Sequence, residues 1–546
     1  MRFTERSAKF ISLLLATVLI LCAAGCQKEI ETIYTADAPI AEQLPMPEEY
    51  KEGERVTELT TTMLRNPATL NPLFVQDEDT KNLLSLVFEP AIRLDASDKP
   101  TSSVIESWKY DETGTGIVFN IRKGVKFHGG NGEVTAQDLV YCIEQIMQSE
   151  SAECPYARYK SIIASYEATS AMQLTVHTAG KTADLFYFMN IPVVTESVYL
   201  GRGKTTTAAP IGTGPYSVES YSSEEGMKLV RNEEWWRVPS AIENITAIPV
   251  DDNESKIAGY QLGNFNFISA TEMTANTYSA MSNTSFYKAV TPYYETLIPN
   301  MNNRYLQDQK FRQAISYAID RREVVSNGVL GGGLATTTAL KPNLWYFDGD
   351  ISLVEYDVAT ADRLLDELGY YESEIVDYRY TLNADETRKY VKLELIYCES
   401  DDLYYRGSVA EQLQKDLKEV GIELILRELP YTEFAEALRT QDFDLAYASF
   451  YGKTNNDVSY LFMTGAEMNY GGFSDNELDT LMAASRITIG ETEQTELYKK
   501  LNIMLNEKLP HIGLYFREYI TYADSDLTGI KNLRNGAVFA DINEWQ

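Results

Sequence analysis

The feature that most constrains the fold is a run between residues 392 and 450 in which strand and helix patterns take turns. KLELIYC reads as a strand, LYYRGSVAEQLQKDLKEV as a helix ended by Gly421, IELILREL as a strand, YTEFAEALRT as a short helix and DFDLAYASF as a third strand. A β-α-β-α-β series predicts parallel strands with helices packed on the faces of their sheet, because parallel neighbours need long crossovers. Ligands of open parallel sheets sit in the crevice beyond the carboxyl ends of the strands. Those ends fall here at Cys398–Asp401 and Phe450–Asp457, so the stretch ASFYGKTNNDV (448–458) lies where a crevice is expected.

The rest of the chain has two textures. From about residue 93 to 290 it reads as short strands and turns. GIVFNIRKGVKFHGGNGEVTAQDLVYCIEQIM alternates through Val118, Asn120 and Arg122, turns at glycine, continues as a second strand through Val125 and Phe127, and begins a helix at Thr135. From about 300 onward helices and strands alternate. In DQKFRQAISYAIDRREVV, residues Phe311, Ala314, Ile315, Ala318 and Ile319 have the spacing of a buried helical stripe. Asp320, three residues before Glu323, is a variant capping box that starts a second helix, and Gly331-Gly332-Gly333 stops the region.

A chain of 546 residues exceeds what one hydrophobic core serves, which predicts two or three domains. Its formal charge of −32, with 80 acidic against 48 basic residues, excludes nucleic acid as a partner and describes a solvated acidic surface. The first residues differ in kind: Arg2, Arg6 and Lys9 precede the apolar run ISLLLATVLILC, and AAGC follows. A basic start, a short apolar run and small residues before a cleavage point make a secretory signal over residues 1–25; the run falls short of the roughly 20 apolar residues of a membrane span. Its end resembles the lipobox of bacterial lipoproteins, with Ala23 where leucine is commonest, and implies lipidation of Cys26. Residues 26–55 are acidic and proline-containing, a tether that as a flexible coil sets the folded body on the order of 30 Å from the membrane. Cys142 and Cys154 either pair or remain buried free thiols, and their spacing fits no zinc pattern.

Several segments combine into one pattern: TLNPLF (69–74), LVFEPAIRLD (86–95), SWKYDETGTGIVFNIRKGVKFHGGNGEVTAQDLVYCIEQI (107–146), GTGPYSVESYSSEEGMKLVRNEEWWR (212–237) and NNRYLQDQKFRQAISYAIDRREVVSNGVLGGG (302–333). In order and spacing they resemble the family 5 extracellular solute-binding proteins, the oligopeptide and dipeptide receptors of ABC importers, with relatives that bind nickel chelates, sugars and other solutes. The likeness runs from about 56 to 546. The motifs themselves read as scaffold: Gly212 and Gly214 for unusual backbone angles, Pro215 for the exit, Trp235 and Trp236 as apolar anchors.

The resemblance implies an α/β, two-lobed periplasmic-binding-protein-like (class II) fold with mixed sheets and an extra inserted small domain. Domain I would comprise residues 56–92, 205–291 and 515–546, domain II the insertion 93–204, and domain III residues 292–514, with two connecting strands as a hinge and the ligand buried on closure. In the peptide-binding relatives an aspartate just after the strand matching DLAYASF pairs with the peptide's amino terminus. The matching position here is Lys453, or Thr454 if one residue is inserted, and Asp457 lies three or four residues late. An ammonium buried without a counter-charge costs several kcal/mol, so Lys453 suits a ligand carboxylate, phosphate or blocked peptide. The residues expected at the ligand are Gln76, Asp77, Glu78 and Thr80 from one lobe, Trp345 and Tyr346 from NLWYFDG, and Tyr447, Phe450, Tyr451, Lys453, Thr454, Asn455, Asn456 and Asp457 from the loop after the third strand. Tyrosines make apolar walls with hydroxyl tips, and asparagines both donate and accept toward a main chain.

No enzyme motif is present: HExxH, GxSxG and GxxxxGK[ST] are all missing, and the three histidines stand apart among apolar or glycine neighbours. No cofactor or metal is expected. The expectation is a monomeric lipid-anchored receptor that delivers a peptide or peptide-like solute to an ABC permease and its ATPase. A receptor for a sugar or metal chelate, a sensor or adhesin lipoprotein, and a glycosidase using paired carboxylates are the alternatives.

Overall fold

The computed structural model describes residues 56–270, 283–347, 354–398, 405–531, 533, 534 and 536–546; the signal, Cys26 and most of the tether lie outside these. Strands β1 (Glu58–Leu64), β8 (Tyr216–Ser222), β9 (Gly226–Arg231) and β10 (Asn244–Val250) form one sheet in the order β1-β10-β9-β8. Between β1 and β8 the chain makes a hairpin of β2 (Ile92–Leu94) and β3 (Pro100–Ser102). It then makes a second sheet ordered β4-β5-β7-β6, from β4 (Ile105–Tyr110), β5 (Gly116–Ile121), β6 (Ile163–Ser170) and β7 (Gln173–Thr178). In β5 the alternation holds: Ile117, Phe119 and Ile121 are buried, Val118 and Asn120 half-exposed. The helix Ala136–Met147 begins at Thr135, whose N–H and hydroxyl both donate to Asp138 Oδ2 at 2.9 and 3.0 Å. Val125 and Phe127 make no strand; Lys126 only bridges Glu133, and both apolar side chains are buried under the turn.

The third sheet has seven strands in the order β11 (Phe267–Ala270), β19 (Ile512–Asp524), β12 (Thr284–Pro299), β18 (Leu445–Tyr451), β16 (Lys392–Tyr397) and β17 (Glu423–Glu428), with β13 (Gly333–Ala335) beside β19. A separate hairpin joins β14 (Tyr380–Leu382) to β15 (Arg388–Tyr390). β16 is parallel to both β17 and β18, as the crossover pattern predicts, while β12 runs antiparallel to β18 and β19. The parallel strands are buried on both faces: Leu393, Leu395, Leu445 and Tyr447 enter one core, Ile396, Ala446, Ala448 and Phe450 the other. The helix Arg406–Glu419 covers the first of these faces with Val409, Ala410, Leu413 and Leu417. Asp320 caps the short helix Arg321–Glu323 by accepting the N–H groups of Arg322 and Glu323, but Glu323 does not reach back; its carboxylate takes Lys415 and Gln412 instead, at 2.9 Å each.

Gly212 and Gly214 serve a purpose other than the one expected. Neither has a positive φ. They run against residues 86 and 87, and a Cβ would come 2.1 Å from Val87 O at Gly212 and 2.5 Å from Leu86 O at Gly214. The glycines supply space for a close backbone approach, held by Gly214 N–H to Val87 O at 2.8 Å. Gly214→Ala forces that backbone apart and is expected to lower stability by about 1–3 kcal/mol, read as a fall in the urea midpoint with m unchanged.

Candidate functional site

β12 and β19 are the longest strands described, 16 and 13 residues, and belong to two bodies at once. Thr284–Val290 pairs with Glu518–Asp524, beside β11; Tyr294–Leu297 pairs with Ile512–Phe516, beside β18. Between Val290 and Tyr294 the register shifts, leaving Thr291, Pro292 and Tyr293 bulged opposite Arg517. The residues packed beyond each end belong to separate hydrophobic cores, residues 59–289 with 519–545 on one side and 290–516 on the other. Two halves therefore meet across the region where the sheet's strand ends and the 453–457 loop lie.

They touch through named groups. Asn455 donates through Nδ2 to Asp184, Trp345 N–H donates to Ser97 O at 3.0 Å, and Trp345 Nε1 donates to the Tyr187 hydroxyl at 3.4 Å. Asp98, in the turn between β2 and β3, is 3% exposed and is held by Lys341 of the facing half at 2.8 Å and by Arg534 of its own half at 2.7 Å. Burial alone would push the Asp98 carboxyl up, but the Lys341 and Arg534 cations outweigh it and hold it below the usual carboxylate range. Asp184 is shifted the other way, by burial and by Asp457.

The loop after β18 is wired mostly to itself. Lys453 Nζ pairs with Asp457 Oδ2 at 2.5 Å, Ser459 N–H donates to Asp457 at 3.0 Å, and Arg486 stands 3.9 Å from the same carboxylate. The charge expected to meet a ligand anion at Lys453 is thus balanced four residues along the same loop. Asn456 takes φ 54°, a left-handed conformation that asparagine tolerates, and its Oδ1 accepts the Lys341 N–H at 3.1 Å. Tyr346 and Tyr498 stack at 4.1 Å and both donate to Asn455 O, at 2.7 and 3.0 Å.

Tyrosines gather where the halves meet. Tyr451 is 43% exposed and meets Tyr293 edge-on at 5.1 Å. Tyr159, under the Arg158 guanidinium at 5.0 Å, reaches toward Thr454. Burial, and after it the Glu78 carboxylate, push the Tyr451 hydroxyl up, against Arg158, so charges of the first half surround a tyrosine of the second. Asp77 caps the helix Glu78–Leu84 by accepting the Thr80 N–H at 2.8 Å, Thr80 is buried, Glu78 accepts from Lys81 at 3.1 Å, and exposed Gln76 donates to Ala152 O at 2.7 Å.

Two of the expected residues turn elsewhere, for a reason in the pleat. Successive residues of β18 face opposite sides, so Phe450 packs on His511 at 5.5 Å inside one core, and Tyr447 bonds the Tyr515 hydroxyl at 2.6 Å in the other. The reasoning from sequence did not reach Asp98, Arg158, Tyr159, Asp184, Tyr187, Tyr293, Lys341 or Arg517. One signal was available: Pro292 inside the pattern of a long strand marks a bulge, and its neighbour Tyr293 joins the gap.

The profile of the bacterial extracellular solute-binding proteins, family 5 middle region, matches residues 99–472. The chain belongs to this family, whose members are extracytoplasmic binding proteins of ABC importers and not enzymes. It is 21% identical over 502 residues to the oligopeptide-binding protein AppA of Bacillus subtilis, covering 87% of this chain and 89% of that one. It is 20% identical to the nickel-binding periplasmic protein of Escherichia coli, covering 87% and 91%. Among solved structures, the ABC transporter substrate-binding protein CtaP of Listeria monocytogenes superposes with a TM-score of 0.72 at 19% identity, over 90% of this chain and 99% of that one. At such identities the structural likeness carries the two-lobed fold.

Asp98→Asn leaves Lys341 and Arg534 facing a neutral partner and is expected to destabilise by about 3–5 kcal/mol at neutral pH. The Asp98 pKa is depressed on folding, so its contribution is full above the unfolded value near 4 and disappears as pH falls through the folded value. Melting curves of the two proteins should therefore stay apart down to about pH 4 and draw together only as the pH falls further, through the depressed Asp98 value.

Proposed function

We propose that this chain is a monomeric extracytoplasmic receptor, held to the membrane by a lipid on Cys26, that captures a peptide or peptide-like solute between its halves and delivers it to an ABC permease and its ATPase. The observation that carries the reading is the pair of strands joining the halves through a bulge beside the Tyr293–Tyr451 pair. A two-strand connection lets the halves rotate, and a solute closes them only by binding the closed form better. Domain limits at 291/292 and 514/515 sit beside this bulge, and the segment 93–204, with its own four-stranded sheet, reads as the inserted domain. The ligand set of the proposal is Gln76, Glu78, Trp345, Tyr451, Lys453 and Thr454, with Asp77, Thr80, Tyr346, Asn455, Asn456 and Asp457 holding them in place. The Bacillus subtilis relative is named for oligopeptides, which favours a peptide; a rim of tyrosine and amide groups fits an extended main chain.

Mass spectrometry of solute released from the purified, denatured protein identifies the ligand. A peptide supports this reading, whereas a sugar or metal chelate replaces the peptide while keeping the receptor. The recovered solute should raise the melting temperature in proportion to log concentration above its Kd and shrink the radius of gyration in solution scattering. Tyr451→Ala is expected to weaken it about tenfold or more, as truncating an aromatic anchor does. Cys26→Ala should move the protein from the membrane to the soluble fraction.

A further inference from the structure

Beside the bulge lies a cluster in which positive charge outnumbers negative among the described residues. Glu295, fully buried in β12, is met by two guanidiniums: Arg517 Nε donates to Glu295 Oε1 at 2.7 Å, and Arg406 Nη2 lies 3.5 Å from Oε2. Burial alone would push Glu295 up, but Arg517 and Arg406 outweigh it and hold it charged, and the same carboxylate keeps both arginines protonated against their own burial. Among the described residues this cluster therefore has one negative and two positive charges, together with the Tyr405 hydroxyl 3.4 Å from Glu295. An uncompensated guanidinium away from water costs several kcal/mol.

Arg517 is where the surplus reaches the gap. Its Nε and Nη2 are directed to Glu295 and Ser449, the latter at 3.2 Å, while Nη1 has no partner among the described residues. Its side chain keeps 17% exposure and lies 4.7 Å from the half-exposed Tyr293 ring, which in turn meets Tyr451. Arg517 is also the residue opposite the bulge, with Thr291 Oγ1 donating to its carbonyl at 2.9 Å.

We propose that Arg517 is an anion-binding residue of the cleft floor, presented by Glu295 and flanked by the Tyr293 ring, that takes a carboxylate of the solute. The proposal rests on the receptor reading above and adds where the solute's negative end lies. A guanidinium with two ligands already fixed is preoriented, so its free nitrogen is aimed without further ordering. A carboxylate there neutralises the cluster and contacts the residue that lies between the two registers of the β12–β19 pairing, so binding is sensed where the halves join.

The test uses the full folded protein, freed of solute, and a pool of short peptides of mixed sequence in two forms, free acid and carboxy-terminal amide. Retention is measured by mass spectrometry and compaction by scattering. The wild type should retain acids over amides by about 10- to 100-fold, the span of a hydrogen bond to a charged group. Arg517→Gln should lose that preference while still compacting with peptides that carry large side chains. Arg517→Lys keeps a charge beside Glu295 but lacks the fork, and should reduce the preference partway; it serves if the glutamine variant does not fold. If amides retained by the wild type carry aspartate or glutamate, the carboxylate is a side chain and not the terminus, and the assignment stands. Equal retention of acids and acid-free amides overturns the subsite and leaves the receptor standing. An acid preference untouched in both variants removes Arg517 from it. If neither form is retained and nothing compacts, the receptor reading falls and the subsite with it.

Discussion

The pairing of β12 with β19 is the constraint on which the rest of the structure depends. The chain passes between the two sides of Val290 only along these strands, and a one-residue slip in either would turn buried side chains outward on both sides. The three bulged residues between the two registers are not frayed backbone. Thr291 Oγ1 donates to Arg517 O, Gly452 N–H donates to Pro292 O at 2.8 Å, and Thr296 Oγ1 donates to Ile512 O at 2.9 Å, so groups that the register shift frees from the ladder are occupied again. A joint made this way bends at a fixed place.

The electrostatics of the molecule differ by depth. The exterior is strongly acidic, with a formal charge of −32 over the chain. Inside, single carboxylates are each matched with two cations: Asp98 with Lys341 and Arg534, Glu295 with Arg406 and Arg517. Asp98 is spread across the two halves and adds attraction between them, whereas Glu295 is within one half and orients its partners. Relatives named for oligopeptides and for nickel share this scaffold at about one residue in five, which is what a generic frame with ligand chemistry in a few side chains looks like.

The sequence made the frame legible wherever a side chain's position follows from period. The crossover run resolves into β16, β17 and β18 with both helices, and Thr135 starts its helix as a cap should. It failed at Val125 and Phe127, where alternation reflects two apolar residues tucked under a glycine turn with no neighbouring strand to pair. It also mistook Gly212 and Gly214, since a need for space and a need for a left-handed backbone look identical in sequence. At the gap, period told only that β18 leads there; it could not say that Lys453 would find Asp457, or that Asp98 and Lys341, 243 residues apart, would meet. Long-range charge pairs have no periodic signature.

Cys142 and Cys154 remain separate thiols in the folded body, each buried, with sulfur donating to a carbonyl: Val194 O at 3.5 Å and Leu73 O at 3.3 Å. Burial pushes both thiols up, Cys142 to about 12, which keeps the reactive thiolate scarce. Among the described residues no disulfide closes the body, so its shape rests on packing and hydrogen bonds and does not depend on oxidising these thiols.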